Sequence, residues 1–313
     1  MKKTLVAAAM AALMATPAFS DSAESETLLE TSMSAKLAEY AQAQSFVSAS
    51  MLYQLLETNE NTVVIGVLDP GKGAEPISGS HTLWRYDYSS PSKRFQDSSK
   101  TMQIDTEAMT SILGQFGASE DSTIVVYAQG DLHDAFRLYW QIKMLGHSDV
   151  RYLDGGLDAW VAAGYPTGDR NVASDAAEYK AQNVNTIQLA TYEMVRNAVD
   201  NPDWVILDVR TAEEYAGTSS YFPGATRAGV IPSSQWVEWT NAQNEDGSLK
   251  SLKELEDTYG KIVRGKKVIV YCHTGVRAAH TAMMLSEALG ADDVHVYDGS
   301  WTEWSHLDSA QDH

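Results

Sequence analysis

Cysteine is nearly absent: the 313 residues hold one, Cys272. No disulfide can form within such a chain, so the thiol is either an inert buried side chain or a reactive one. Basic residues are also scarce, with 23 Lys and Arg against 42 Asp and Glu and a formal net charge of −19. That balance argues against nucleic acid or an anionic membrane surface as a partner. An anionic substrate would need a local positive site. Long apolar runs are absent except for "LVAAAMAALMA" (Leu5 to Ala15), which is too short to span a bilayer. It follows Lys2 and Lys3 and precedes the small residues Ala18 and Ser20, the pattern of a secretory signal over residues 1–20. The expectation is a protein exported to a bacterial periplasm without membrane insertion. Cysteines usually pair in that oxidising compartment, which makes a lone one notable.

What the sequence does contain is a duplication. "IVVYAQGDLHDAFRLYWQIKMLGHSDVRYLDGGLDAW" (Ile124 to Trp160) aligns without a gap on "VIVYCHTGVRAAHTAMMLSEALGADDVHVYDGSWTEW" (Val268 to Trp304). The offset is a constant 144 residues, as from Tyr127 to Tyr271 and from Trp160 to Trp304. Upstream, Asn61 to Gly71 matches Asp203 to Tyr215 with a small indel, and Ile77 to Trp84 matches Phe222 to Gly229. The period is far too long for a solenoid repeat, so two domains are expected.

In the second copy "WVILDV", "KVIVYC" and "DVHVYDG" read as buried parallel strands. "TAEEYAG", "SLKELEDTYGKI" and "GVRAAHTAMMLSEALG" read as the helices between them, the last closed by Gly290. The fold class is therefore α/β, each domain a parallel sheet flanked by helices on both faces. The division places an extension at residues 21–45, a first domain at 46–166, a polar linker at 167–186 and a second domain at 187–313. In the extension, Leu29, Met33, Leu37 and Tyr40 form one helical stripe, either a docked helix or a mobile tail.

Cys272 ends a strand and opens the turn "CHTGVR" into a helix. Successive N–H groups of such a turn converge on the sulfur, and the helix N-terminus adds partial positive charge. Both favour thiolate over thiol. Gly275 permits the backbone angles of a tight cradle. Arg277 adds a permanent cation that can pair a substrate anion or fix the loop.

"CHTGVR" has the Cys-x-x-Gly-x-Arg form of rhodanese-type sulfurtransferases, and "VHVYDGSWTEW" resembles the C-terminal signature of the tandem group. "DVRTAEEYAG" with the downstream "FPGA" is similar to the family's first strand and its following element. The resemblance spans Phe46 to Ser305 and accounts for the duplication. It implies that only the second domain is catalytic: Ala128 stands at the position of Cys272, His133 at that of Arg277, and "AQGDLH" places an acid, Asp131, in the cradle. Four residues separate Cys272 from Arg277. Related phosphatases and arsenate reductases use five, so the loop length favours sulfur transfer.

The implied mechanism is ping-pong, with Cys272 as nucleophile and the loop His273, Thr274, Gly275, Val276 and Arg277 holding a persulfide. No cofactor and no metal is implied. The partners are a small-molecule sulfur donor and a thiol or cyanide acceptor, with a periplasmic acceptor protein in the cell. Thiosulfate is the expected donor; 3-mercaptopyruvate is the alternative, and a persulfide carrier without turnover is a reading from another class. The loop departs from both donor patterns of the family, and Glu213 and Glu214 stand where some thiosulfate enzymes carry a basic residue. Asp208 and Arg210 match positions that support the loop and brace the domain. Trp84 and Arg85 are candidates for the wall of the inter-domain cleft, while Trp301 and Trp304 read as packing residues. His280 and His295 lack metal-ligand spacing.

Overall fold

The computed structural model describes residues 31–91, 100–130, 132–169, 174–185, 188–219 and 224–309. The signal segment 1–20, Leu29, Asp131, linker positions 170–173 and 186, and Phe222 lie outside the described residues.

The chain is helical over residues 31–38 (α1). The first domain then runs β1 (Phe46–Val47), α2 (Ala49–Thr58), β2 (Thr62–Val67), β3 (His81–Leu83), the antiparallel pair β4 (Ser89–Pro91) and β5 (Lys100–Gln103), α3 (Thr106–Gln115), β6 (Thr123–Ala128), α4 (His133–Met144), β7 (Val150–Leu153) and α5 (Gly156–Ala162). The second runs β8 (Leu189–Ala190), α6 (Tyr192–Ala198), β9 (Trp204–Asp208), α7 (Ala212–Tyr215), β10 (Gln235–Trp236), α8 (Leu252–Leu255), α9 (Lys261–Val263), β11 (Lys267–Tyr271), α10 (Val276–Met283), β12 (Val294–Tyr297) and α11 (Ser300–Ser309).

Each domain holds a five-stranded parallel sheet in the same order, β1-β7-β6-β2-β3 and β8-β12-β11-β9-β10. The sequence signalled three strands per copy. The two edge strands of each sheet are two or three residues long, too short to leave a pattern. The central strands β6 and β11 are buried on both faces, as in a sheet covered by helices on either side.

Helices α4 and α10 hold equivalent places in the two domains and pack against each other. Every residue of α4 except Lys143 is buried, and so is every residue of α10 except Arg277. A helix buried on all sides belongs at the centre of a protein, and its polar residues must find partners there. One continuous core runs from Leu37 through β6, α4 and α10 to Val296, so the two domains share it.

Within the extension, residues 31–45 are docked. Leu37 and Tyr40 are buried, and the Tyr40 hydroxyl donates to the Lys250 carbonyl at 2.7 Å. The N–H groups of Ala41 and Gln42 donate to the carbonyls of Ala288 and Glu287 at 3.0 and 2.8 Å. This segment straps the first domain to the second. Linker residues also lie along the first domain: the Tyr179 hydroxyl meets His147 Nδ1 at 2.8 Å, and Asn185 N–H donates to Met144 O at 2.8 Å. No helix among the described residues is long and apolar enough to cross a membrane.

Candidate active site

Parallel strands deliver their C-terminal ends, and the loops that follow, to one edge of the sheet. Cys272 is the first residue past β11 and is only 1% exposed. Its backbone is held on both sides: its N–H donates to Ser300 Oγ at 3.1 Å, and its carbonyl accepts from Trp301 N–H at 3.0 Å. The His273 carbonyl accepts from the N–H and hydroxyl of Thr302 at 3.1 and 2.8 Å. The first turn of α11 therefore clamps the loop.

Ser300 holds a left-handed backbone at φ +50°, a conformation that costs a non-glycine residue about 1–3 kcal/mol. Its hydroxyl donates to the Tyr297 carbonyl at 2.7 Å and accepts from Cys272. The equivalent first-domain residue is Gly156, also left-handed. The contrast between "DGS" and "DGG" was visible in the sequence, but its meaning required the Cys272 contact.

The N–H of Gly275 donates to Cys272 Sγ at 3.1 Å. Gly275 sits at φ +84°, and a Cβ there would lie 2.6 Å from the Asp298 carbonyl and 3.1 Å from Arg137 Nη1. Glycine is required on both counts. Thr274 is half-buried at the rim, and Val276 is buried as the first residue of α10.

Arg277 points back to α7 and forms a bidentate pair with Glu214 at 2.6 and 3.0 Å. Burial opposes its charge, but Glu214 and the Cys272 sulfur hold it still more firmly protonated than a free arginine. Burial likewise opposes ionisation of Glu214, yet the Arg277 guanidinium prevails and holds the carboxyl down to about 2. His273 is buried with Nδ1 3.8 Å from Glu214 Oε1.

Asp208 and Arg210 stand behind the loop. Both are fully buried; Arg210 Nη2 donates to Asp208 Oδ2 at 2.6 Å and to the Gly229 carbonyl at 2.8 Å. The Tyr271 hydroxyl donates to the same carboxylate at 2.6 Å, and the guanidinium lies over the Trp301 ring at 5.1 Å. The pair braces β9 against β11 and α11, one step removed from the sulfur.

The first domain reaches the loop through a residue that no sequence motif marked. Arg137 of α4, fully buried, pairs with Asp298 at the end of β12. Asp298 also accepts the Gln103 N–H at 3.0 Å. Trp84 is half-buried against the shared core, and Arg85 forms a bidentate pair with Asp134 at 2.7 and 2.9 Å. His133 meets Trp239 edge-on at 4.6 Å across the domain seam, and His280 meets Phe136 and Trp239 in the same way. Burial, with a smaller push from His133, lowers the His280 pKa to about 3. Trp301 and Trp304 are buried packing residues, as expected. Among the described residues no three His, Cys, Asp or Glu side chains converge to hold a metal ion.

A buried thiol that receives a backbone N–H at a helix N-terminus can attack as a nucleophile and then hold negative charge on an added atom. Two parallel α/β domains, one of which ends its central strand in such a cradle, define a cysteine-dependent group-transfer protein. The Rhodanese-like domain family matches residues 48–163 and 191–307, and the chain belongs to that family as a tandem, rhodanese-type sulfurtransferase. A thiosulfate sulfurtransferase of Corynebacterium glutamicum is 30% identical over 291 residues, covering 86% of this chain and 90% of that protein. A relative from Haloferax volcanii is 36% identical over 220 residues, 68% of this chain and 77% of its own length. The fold is shared with the anaerobic ergothioneine biosynthesis enzyme of Chlorobium limicola, with a TM-score of 0.76, 23% identity, and coverage of 86% of this chain and 70% of that one.

Proposed function

We propose that the enzyme takes sulfane sulfur from thiosulfate, or a similar donor, and passes it to a thiophilic acceptor through a persulfide on Cys272. The thiolate attacks the outer sulfur, the S–S bond of thiosulfate breaks, and its electron pair leaves on sulfite. The terminal sulfur then carries the negative charge against the Gly275 N–H. Cyanide or a thiol attacks that sulfur and returns the Cys272 thiolate. The observation that carries this reading is the Gly275 N–H to Sγ contact of 3.1 Å at the head of α10.

The donor follows the named activity of the Corynebacterium relative. The first domain acts as scaffold, bringing Arg137 to Asp298 beside the loop. The signal-like segment at residues 1–20 supports work in the periplasm, where a thiol-bearing protein is the natural acceptor. Intact mass of the purified protein tests the chemistry. Thiosulfate should add one sulfur (~32 Da) that cyanide removes, and Cys272→Ser should gain nothing. Absence of the adduct in the unaltered protein, with thiosulfate and with 3-mercaptopyruvate, overturns the proposal.

A further inference from the structure

The persulfide loop is backed by a charge that the transfer step does not use. Glu214, the third residue of α7, directs both carboxylate oxygens at Arg277 and lies within 3.8 Å of His273 Nδ1. Arg277 is the one permanent cation in the stretch 272–277. A bidentate pair fixes the guanidinium in place. It also brings the charge of the pair to zero, and Glu214 remains ionised throughout the neutral range. Arg137, beside the loop, is likewise paired with Asp298, which leaves the Gly275 N–H at the anionic sulfur to meet a donor. Repulsion from that arrangement grows in proportion to the charge the donor carries.

We propose that Glu214 is a specificity-determining residue: by cancelling the charge of Arg277, it makes the site take sulfane donors with one negative charge or none in preference to dianionic thiosulfate. The inference rests on persulfide formation at Cys272. Thiosulfate and methanethiosulfonate isolate the effect, since each presents the same outer sulfur through one S–S bond. The first is a dianion that releases sulfite, the second a monoanion that releases methanesulfinate. In both cases the leaving group departs with the bonding pair, and the persulfide keeps the charge of the thiolate.

The test measures kcat and KM for both donors, with cyanide as acceptor, in the unaltered enzyme, Glu214→Gln and Glu214→Asp. The unaltered enzyme should show the higher kcat/KM for methanethiosulfonate. Glu214→Gln should raise kcat/KM for thiosulfate about five- to tenfold more than for the monoanion, mainly through KM, the size expected of one charge a few ångströms beyond the loop. Glu214→Asp, which keeps the charge, should retain the original ratio. An equal loss of kcat for both donors in Glu214→Gln would reduce Glu214 to a prop for Arg277 and overturn the proposal. So would a preference of the unaltered enzyme for thiosulfate, which needs no variant to fold. The sulfur adduct is read by mass in each protein. An adduct with the wrong donor ratio sinks this inference alone, whereas no adduct sinks the sulfurtransferase reading beneath it.

Discussion

At the ends of β6 and β11 one backbone design carries two different sets of side chains. The tyrosine before each loop does the same work in both. Tyr127 Oη accepts the Ile77 N–H at 2.9 Å and bonds Ser80, while Tyr271 Oη accepts the Ile231 N–H at 3.1 Å and meets Ser234. Beside it the copies part. Tyr127 pairs in register with Gly66, where any Cβ would lie 2.6 Å from its ring; Tyr271 pairs with Asp208, which accepts hydrogen bonds from its hydroxyl and from Arg210. Gly156 stands at the position of Ser300, Ala128 at that of Cys272, His133 at that of Arg277, and Phe136 at that of His280.

The aspartates that follow β7 and β12 are both buried and paired with cations, but from different sources. Asp298 receives Arg137 from the other domain; Asp154 receives Lys36 from α1 at 2.6 Å. The catalytic half thus maintains buried ion pairs and a strained serine around one sulfur. At the equivalent loop the other half has glycine, alanine and phenylalanine in place of Ser300, Cys272 and His280. Keeping a loop reactive demands polar support that a merely folded loop does not need.

The comparison breaks most directly if the thiol is moved. Ala128→Cys combined with Cys272→Ser should leave thiocyanate formation at least about a thousandfold below the unaltered enzyme, because the first-domain loop has neither Arg277 nor the Ser300 clamp. Substantial activity there would mean the surroundings are dispensable. The two aspartates offer a sharper contrast. Arg137→Met leaves a buried carboxylate facing its lost cation and should cost about 3–5 kcal/mol in urea unfolding. Each aspartate keeps one backbone N–H, but Lys36 is 16% exposed where Arg137 is fully buried, so Lys36→Met should cost less, about 1–3 kcal/mol. Equal losses would erase the distinction.

The last contrast is a pH dependence. His280 has its pKa lowered to about 3 by burial, so its stabilising contribution is complete above about 6.5, its unfolded value, and falls away as the pH drops toward 3. The slope from this one group approaches ~1.4 kcal/mol per pH unit below 6.5. His81 and His147 in the first domain are also lowered by burial and add to the total. Substituting the counterpart residue, His280→Phe, should remove its share, seen as a flatter melting-temperature profile between pH 6.5 and 4.5. Glu214 loses its stabilisation only below its ordinary value of 4.5, outside that window.

Much of this was legible in the sequence, for identifiable reasons. The duplication announced itself because Tyr127 and Tyr271, and Trp160 and Trp304, keep their spacing through a gap-free stretch. The cysteine loop was legible because strand, turn glycine and helix follow one another locally. What escaped is non-local. Arg137 and Asp298 lie in different domains, and nothing near either residue names the other. Glu214 was noted as an acid in an unexpected place, but its bond to Arg277 closes over 63 residues. The stripe of Met33, Leu37 and Tyr40 gave a helix without a destination, since the surface it covers is assembled from both domains. The π-helical turn at Met284–Ala288 that continues α10 carries no local signature either.

Gly275 has a consequence for how such an enzyme can diversify. The position is closed to every side chain by the Asp298 carbonyl on one side and the sense of its own backbone on the other. Random variation there is lethal to the loop, so natural or laboratory selection for new donors is channelled into its neighbours. Thr274 is half-buried at the rim, and Glu214 lies on a separate element, α7, outside the loop itself. The architecture separates what must stay constant for sulfur to be held from what is free to drift in deciding which molecule supplies it.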